Sequence, residues 1–193
     1  MTSKTGILGG SFDPPHVGHT AMARAAKETL DLDRVLLMPA PRPPHKDAAD
    51  LSDWSHRVAM AELAARDIDG VEVSLHELDT PGDSYTVESL RRFRQTHDDE
   101  LYFILGADSL RDLPDWREPQ ALLALATLVV FPRVGLEARL GVGGDAAIIV
   151  FEEPLIAVSS SEIRRKRRAG ESIESLVPEA VLDYIVEHSL YVG

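Results

Sequence analysis

Short apolar segments alternate with longer helix-forming segments along this chain, and this alternation limits the possible fold more than any other feature. Several of the apolar segments are continuous rather than alternating in polarity, which is typical of strands that are covered on both faces. Strands that are joined through helices form a parallel sheet with right-handed crossovers. The sequence predicts strands at residues 7–8, 35–38, 71–75, 101–105, 128–131 and 148–150.

The segments between these strands have helical spacing or helix-forming composition. Gly170 is placed to end the penultimate helix, and Pro178 is placed to open the last one. The predicted helices are residues 16–30, 54–66, 87–96, 119–126, 161–169 and 178–190. With 193 residues and no internal repeat, we expect one α/β domain over residues 1–193, a parallel sheet flanked by helices. Residues 159–193 would be its C-terminal helical part, and ligands would bind beyond the carboxyl ends of the strands.

The charge balance argues against a nucleic-acid partner. The formal net charge is −12, from 32 acidic and 20 basic residues, and such a surface repels a phosphate backbone. One segment differs from this average, because residues 164–168 are five consecutive cations. They can form the solvated face of a helix, or at least one of them can point into a site for a polyphosphate. A small anionic ligand suits a local basic run in an acidic protein better than a duplex does.

Cysteine is absent from the sequence, which excludes disulfides, thiolate metal sites and catalysis by a thiol. The first residues lack the charged-then-apolar pattern of a signal peptide. No apolar stretch reaches the roughly 18 residues that a membrane span requires. We therefore expect a cytoplasmic protein without a membrane partner.

The most specific motif is Gly-Gly-Ser-Phe-Asp-Pro-Pro-His-Val-Gly-His at residues 9–19, between the first strand and the first helix. Paired glycines let the backbone turn tightly and approach a ligand closely. The helix start behind them offers unpaired N–H groups and a partial positive charge to an anion. His16 and His19 are three residues apart and share one helix face, so both can donate to phosphate oxygens from the same side.

This motif resembles the signature of the nucleotidyltransferase superfamily whose members carry His-x-Gly-His. Its longer form, Gly-Ser-Phe-Asp-Pro-Pro-His-x-Gly-His, is similar to the motif of the nicotinate mononucleotide adenylyltransferases in particular. The resemblance implies a Rossmann-like domain of nucleotidyltransferase type. It also implies transfer of a nucleotidyl group to a phosphate or a similar acceptor.

Two loops continue the resemblance. Pro-Ala-Pro-Arg-Pro-Pro-His-Lys at residues 39–46 is a stiff loop after a strand, and it would present Lys46 to phosphate, although a lone lysine after a turn is commonly just exposed. Ser84-Tyr85-Thr86 precedes a helix, so Ser84 or Thr86 could be its cap. In the resembled family this tripeptide lies against the nicotinate ring and its carboxylate. The two interpretations are compatible, because the N–H groups of a helix start bind carboxylates well.

Two later segments complete the resemblance. Leu-Gly-Ala-Asp-Ser-Leu at residues 105–110 contains Gly106, which permits close approach, and Asp108, which the family suggests for ribose hydroxyls. Trp116 would stack on the pyridine ring by resemblance, while the commoner position of a tryptophan is the core. Val-Ser-Ser-Ser-Glu-Ile-Arg at residues 158–164 resembles the family's Ile-Ser-Ser-Thr-x-Ile-Arg. Ser159 and Glu162 have capping-box spacing, so a helix begins here whatever the function.

The resemblance as a whole implies that the adenylyl group of ATP is transferred to nicotinate mononucleotide, giving deamido-NAD and pyrophosphate. The implied catalytic residues are His16, His19, Lys46 and Arg164. The implied ATP-binding residues are Gly9, Gly10, Ser11, Phe12, His16, His19, Gly106, Asp108, Ser160, Ser161 and Arg164. The implied residues for the mononucleotide are Ser11, Phe12, Lys46, Tyr85, Thr86 and Trp116. No metal-ligand spacing is visible in the sequence, so Mg²⁺ would arrive with ATP.

Three alternatives stay open. A phosphopantetheine adenylyltransferase of the same superfamily usually carries Thr-Phe-Asp-Pro and Asn-Gly-His, and both the first motif and Trp116 favour the nicotinate family instead. A non-catalytic nucleotide sensor on the same fold would tend to lose His16, His19, Lys46 and Arg164, all of which are present. A nucleic-acid-binding module depends only on the basic run. Assembly into a homo-oligomer is neither indicated nor excluded.

Overall fold

The structure is a computed structural model that describes residues 2–44, 50–77, 82–134 and 147–193. Its strands are β1 (Lys4–Gly10), β2 (Arg34–Pro39), β3 (Val71–Val73), β4 (Glu100–Gly106), β5 (Thr127–Phe131) and β6 (Ile148–Val150). They form one sheet in the order β3-β2-β1-β4-β5-β6, and every neighbouring pair is parallel. The expected parallel sheet with helical crossovers is therefore confirmed.

The helices are α1 (Val17–Thr29), α2 (Trp54–Ala65), α3 (Thr86–Thr96), α4 (Ala107–Asp112), α5 (Pro119–Leu125), α6 (Ser160–Arg168) and α7 (Glu179–Glu187). The sequence did not predict α4 or the 3₁₀ turn that follows it at Leu113–Asp115, because six residues are too few to show helical periodicity. The predicted third strand was two residues too long, and Leu75, which was placed in it, is exposed. The last helix is also shorter than predicted.

The first helix begins at Val17 and not at His16 as predicted. His16 has the extended backbone of an N-cap, with φ −135° and ψ 169°. The last helix likewise has Pro178 as its N-cap, with ψ 146°. Both corrections are of one residue, and the first one places His16 at the opening of the helix.

Two apolar layers cover the sheet, one on each face. Helices α1, α2, α6 and α7 share one layer with strand residues that include Leu8, Leu37 and Ile104. Helices α3, α4 and α5 share the other layer with Ile7 and Phe103 among the strand residues. Because neighbouring strand residues point to opposite covered faces, the strands are continuously apolar, as the sequence predicted. The helices within residues 159–193 pack into the same core as α1 and α2.

The carboxyl ends of the central strands bring the motifs together. Strands β1, β4 and β5 end side by side at Gly10, Gly106 and Phe131, and β2 ends next to β1 at Pro39. The loops that leave these ends therefore meet at one edge of the sheet. None of the helices described here is long and apolar enough to cross a membrane.

Candidate active site

A cavity of about 430 Å³ opens at the carboxyl edge of the sheet. Its walls come from the loops after β1 and β2, from the starts of α3 and α6, and from the end of β4 with α4. The predicted site residues that line it are Gly9, Gly10, Ser11, His16, His19, Tyr85, Thr86, Asp108, Trp116, Ser160 and Ser161. Gly106 lines an adjoining, deeper space that shares both histidines, Asp108 and Trp116 with the cavity. The structure thus brings residues from distant parts of the sequence to one site.

Three predicted residues are not among the described residues of the cavity wall. Phe12 is buried, and Arg164 contacts the back of the loop after β1. Neither of the two is among the lining residues. Lys46, the third, lies outside the described residues.

The two histidines are stacked at the start of α1. The backbone N–H of His16 donates to Nδ1 of His19 over 3.1 Å, and the ring centroids are 3.7 Å apart. Because Nδ1 of His19 accepts this hydrogen bond, a neutral His19 carries its proton on Nε2. Burial and the nearby Arg133 guanidinium lower the pKa of His16 to about 4, so its ring is neutral near pH 7. The neutral His16 ring then carries a single N–H group.

Gly18 leaves room for this arrangement. A Cβ at that position would lie 2.9 Å from Cγ2 of Ile156 and 3.0 Å from Nδ1 of His16. Any side chain there would therefore press on the His16 ring. Nδ1 of His16 is buried and has no hydrogen-bond partner among the residues that the structure describes. The glycine between the two histidines is thus explained by close packing.

The loop after β1 is supported from beneath. Phe12 has a positive φ of 48°, is buried, and contacts the His19 ring with centroids 5.0 Å apart. Asp13 is fully buried, and its carboxylate accepts from the Tyr191 hydroxyl over 2.6 Å and from the Ser52 backbone N–H over 3.2 Å. The structure therefore places Phe12 under the histidines as a support.

Helix α6 contacts the back of the same loop. Ser159 caps the helix by accepting from the Glu162 N–H over 3.3 Å, as its spacing predicted. Ser160 donates from its hydroxyl to the Pro14 carbonyl over 2.9 Å. Nη1 of Arg164 donates to the Asp13 carbonyl over 2.7 Å, and it lies 3.9 Å from the Asp13 carboxylate. Arg164 thus fastens the loop in this structure.

Arg165 and Lys166 of the basic run support the interpretation that the run forms a solvated helix face. Arg165 and Lys166 both form ion pairs with Glu171, at 3.3 and 3.1 Å. The side chain of Arg165 is 62% exposed. These two residues lie on a solvated helix face, which was one of the two interpretations that the sequence left open.

The start of α3 and Trp116 also line the cavity. Tyr85 is the N-cap of α3, and the Trp116 ring meets Phe103 edge-on with centroids 6.2 Å apart. The guanidinium of Arg117 lies 4.7 Å from the centroid of the Tyr85 ring. The suggestion that Ser84 or Thr86 caps the helix is wrong, because the helix has no side-chain cap and Ser84 Oγ accepts from the Arg42 backbone N–H instead.

Arg133 and Glu77 are charged residues of the cavity wall that the sequence interpretation missed. Arg133 lies just beyond the end of β5, and its Nη1 pairs with Asp108 at 2.9 Å. A cation that follows a central strand is the sequence signal that could have identified Arg133. Glu77 is 6% exposed and accepts from the Ser89 hydroxyl; burial raises its pKa. It follows no recognisable motif. In the described parts of the chain, no set of three or more His, Cys, Asp or Glu residues is grouped to hold a metal ion.

Comparisons with known proteins agree with this geometry. The cytidylyltransferase-like family model matches residues 7–166. A Thermomicrobium roseum protein named "Probable nicotinate-nucleotide adenylyltransferase" is 42% identical over 98% of this chain and 92% of its own length. A protein of the same name from Thermus thermophilus is 44% identical over 97% of this chain and 99% of its own.

A solved structure shows the same fold at lower sequence identity. The Plasmodium falciparum nicotinic acid mononucleotide adenylyltransferase complexed with NaAD aligns with a TM-score of 0.81 and 19% identity. The alignment covers 98% of this chain and 97% of that one. From the family model and the full-length relatives, the chain belongs to the cytidylyltransferase-like family and, within it, to the nicotinate-nucleotide adenylyltransferases.

Proposed function

We propose that the chain transfers the adenylyl group of ATP to nicotinate mononucleotide, giving nicotinate adenine dinucleotide and pyrophosphate in NAD biosynthesis. The observation that carries this proposal is the stacked pair of His16 and His19 at the start of α1, in the wall of a cavity that Trp116 also lines. The histidines suit phosphates, and the Trp116 ring suits a flat ring. Full-length relatives at 42% and 44% identity are named for the same activity.

The chemistry requires two anions to be brought together. The 5′-phosphate oxygen of the mononucleotide attacks the α-phosphorus of ATP in line. The bond from the α-phosphorus to the oxygen that bridges the α- and β-phosphates breaks, and this oxygen leaves with pyrophosphate. The attacking oxygen is already anionic near neutral pH, so no general base is needed. Catalysis then depends on orientation and on donors aimed at the developing charge. The Nε2–H group of His19 would be such a donor, with the N–H groups at the start of α1 beside it.

The remaining roles follow from the position of each residue in the cavity wall. Gly9, Gly10 and Ser11 would let the ATP phosphates approach the backbone, and the Ser161 hydroxyl would donate to them. Ser160 would line the ATP site beside it, with its own hydroxyl proton donated to the Pro14 carbonyl. Gly106 and Asp108 would hold the ribose of ATP. Tyr85, Thr86 and Trp116 would hold the nicotinate ring, with Trp116 stacked on it.

Lys46, Phe12 and Arg164 are not among the described lining residues, so their proposed roles rest on other observations. Lys46 remains a proposed ligand of the β- and γ-phosphates on the basis of its motif alone. Phe12 would act through the His19 ring that it supports. Arg164 would keep its hydrogen bond to the Asp13 carbonyl and so hold the loop that carries the phosphates.

Mg²⁺ is the metal that we propose for the reaction, bound through the phosphates of ATP. Among the lining residues that the structure describes, the carboxylates are Glu77 and Asp108, and Asp108 is already paired with Arg133. This set suits a metal that brings its own phosphate and water ligands. When bound, Mg²⁺ would neutralise charge on the phosphate oxygens.

An assay of product formation tests the proposal. The purified protein is incubated with ATP, Mg²⁺ and nicotinate mononucleotide, and pyrophosphate release is measured together with the mass of the dinucleotide. We expect stoichiometric pyrophosphate and nicotinate adenine dinucleotide, and neither product when the mononucleotide is omitted. Pyrophosphate release without an adenylylated acceptor would contradict the proposed transfer.

A further inference from the structure

Arg57 is a buried cation in the first turns of α2 that lines no part of the cavity. Arg57 is 2% exposed, and its guanidinium carbon lies 5.1 Å from the centroid of the Trp54 ring. Helix α2 packs through Met60 and Ala61 into the core, so the base of the side chain is rigidly held. A buried guanidinium is costly unless its donors are used.

All of the hydrogen bonds described for Arg57 go to backbone carbonyl oxygens. Nη1 donates to Ser11 over 3.1 Å and to Ala40 over 2.8 Å. Nη2 donates to Pro41 over 3.1 Å, and Nε donates to Ser52 over 3.1 Å. The planar fork of one guanidinium thus joins three separate segments of the chain.

Two of these segments are walls of the cavity. Ser11 belongs to the loop after β1 that leads into the histidines, and Ala40 begins the proline-rich loop after β2. The third segment is connected as well, because the Ser52 N–H donates to the buried Asp13 carboxylate of the first loop. A cation that bonds only to carbonyls fixes backbone geometry rather than neutralising a single acid.

We propose that Arg57 is a positioning residue for the adenylyl transfer, which it serves by holding the loop after β1 and the loop after β2 at a fixed separation. The expected effect of Arg57 on catalysis rests on the proposed function. A lysine cannot replace the arginine, because one ammonium group cannot reach four oxygens spread along the guanidinium. A displacement of about 1 Å at a reacting centre costs about 10²-fold in rate.

The test compares Arg57→Lys with Arg66→Lys, a control of the same chemistry at the exposed end of the same helix, where the Arg66 side chain is 60% exposed. For Arg57→Lys we expect kcat/KM per folded molecule to fall about 10²-fold for ATP and for nicotinate mononucleotide alike. The control should stay within about two-fold of the wild type. Wild-type kcat/KM per folded molecule in Arg57→Lys would overturn the proposal.

A second variant and a chemical rescue separate positioning from folding. Trp54→Leu keeps the arginine but removes the ring beside it, and should lower kcat/KM for both substrates together. In Arg57→Ala, guanidinium chloride too dilute to unfold the wild type should restore activity, whereas equal NaCl should not. Unchanged kinetics in Trp54→Leu, or equal effects of the two salts, would count against positioning.

Hydrogen exchange gives a readout that does not need activity. In Arg57→Lys the amides of residues 9–16 and 40–44 should exchange faster than in Arg66→Lys, while those of β4 should not change. If the wild type formed no dinucleotide, the proposed function would fail. Hydrogen exchange would still show whether Arg57 holds the two loops. If the amides of both loops exchanged at the same rates in Arg57→Lys and Arg66→Lys, the positioning role of Arg57 would be overturned.

Discussion

The backbone N–H of His16 donates to Nδ1 of His19, and this contact fixes which nitrogen of His19 can serve a substrate. A nitrogen that accepts from an N–H group carries no proton, so the proton of the neutral ring is on Nε2. The spacing His-x-Gly-His therefore sets a tautomer as well as a helix face. The ring of His16 stacks on the same imidazole and limits its rotation.

His19→Ala should remove a donor from the transition state while the fold stays intact. We expect kcat to fall at least about 10²-fold, which is typical for the loss of one such donor. The matched control is His188→Ala, since His188 is exposed at the end of α7 and is not part of the cavity wall. Steady-state kinetics with circular dichroism would check both variants. Near-normal turnover in His19→Ala would remove this residue from the mechanism.

Arg164→Ala should weaken the use of ATP, because the loop that carries the phosphates would lose its hydrogen bond at the Asp13 carbonyl. We expect kcat/KM for ATP to fall by about 10-fold or more, as for the loss of a charged hydrogen bond. Arg165→Ala is the control from the same basic run, and it should change this value by less than about two-fold. Equal small effects in both variants would contradict a role for the Arg164 hydrogen bond in the use of ATP.

Trp116→Ala should raise KM for nicotinate mononucleotide and leave KM for ATP nearly unchanged, because stacking touches only the acceptor ring. Trp116→Phe keeps a flat ring and should recover part of the loss. Initial rates measured with each substrate varied in turn would show the split. A variant whose single defect is a lower Tm would assign Trp116 to the core beside Phe103.

The burial of His16 predicts a loss of stability in acid. Its pKa is lowered from 6.5 to about 4 in the folded protein, so the unfolded chain takes up a proton first as the pH falls. This contribution is constant above about pH 6.5, and about 3 kcal/mol is lost progressively between pH 6.5 and 4. Urea unfolding at a series of pH values should show a shallower decline in His16→Gln than in the wild type. Parallel curves for the two proteins would contradict the buried, neutral state of His16.

The strands and the loop between β1 and α1 could be predicted from the sequence because their signals are local. Continuous apolar runs indicate buried parallel strands, and the glycines, prolines and histidines of residues 9–19 follow one of them directly. The Ser159 cap was visible for the same reason, since its partner lies three residues away. In each case the residues that make the contact are neighbours in the chain.

The support beneath the site could not be predicted, because it consists of contacts between distant residues that look ordinary in the sequence. Tyr191 and Asp13 are 178 positions apart, and Arg57 reads as one more surface cation. Arg133 pairs with Asp108 only because β4 and β5 are neighbours in the sheet. Helix α4 was missed because its six residues show too little periodicity. Tertiary packing decides the first three of these features.

The central claim is that this cavity directs adenylyl transfer to nicotinate mononucleotide, and a competition between acceptors tests it most directly. The start of α3 would favour the nicotinate carboxylate, because the amide of nicotinamide would present an NH₂ group to N–H donors. The protein is given ATP and Mg²⁺ with equal concentrations of nicotinate mononucleotide, nicotinamide mononucleotide and phosphopantetheine, and the products are quantified by mass. We predict that nicotinate adenine dinucleotide is the dominant product. Dephospho-coenzyme A or NAD in equal or greater amount would contradict the account.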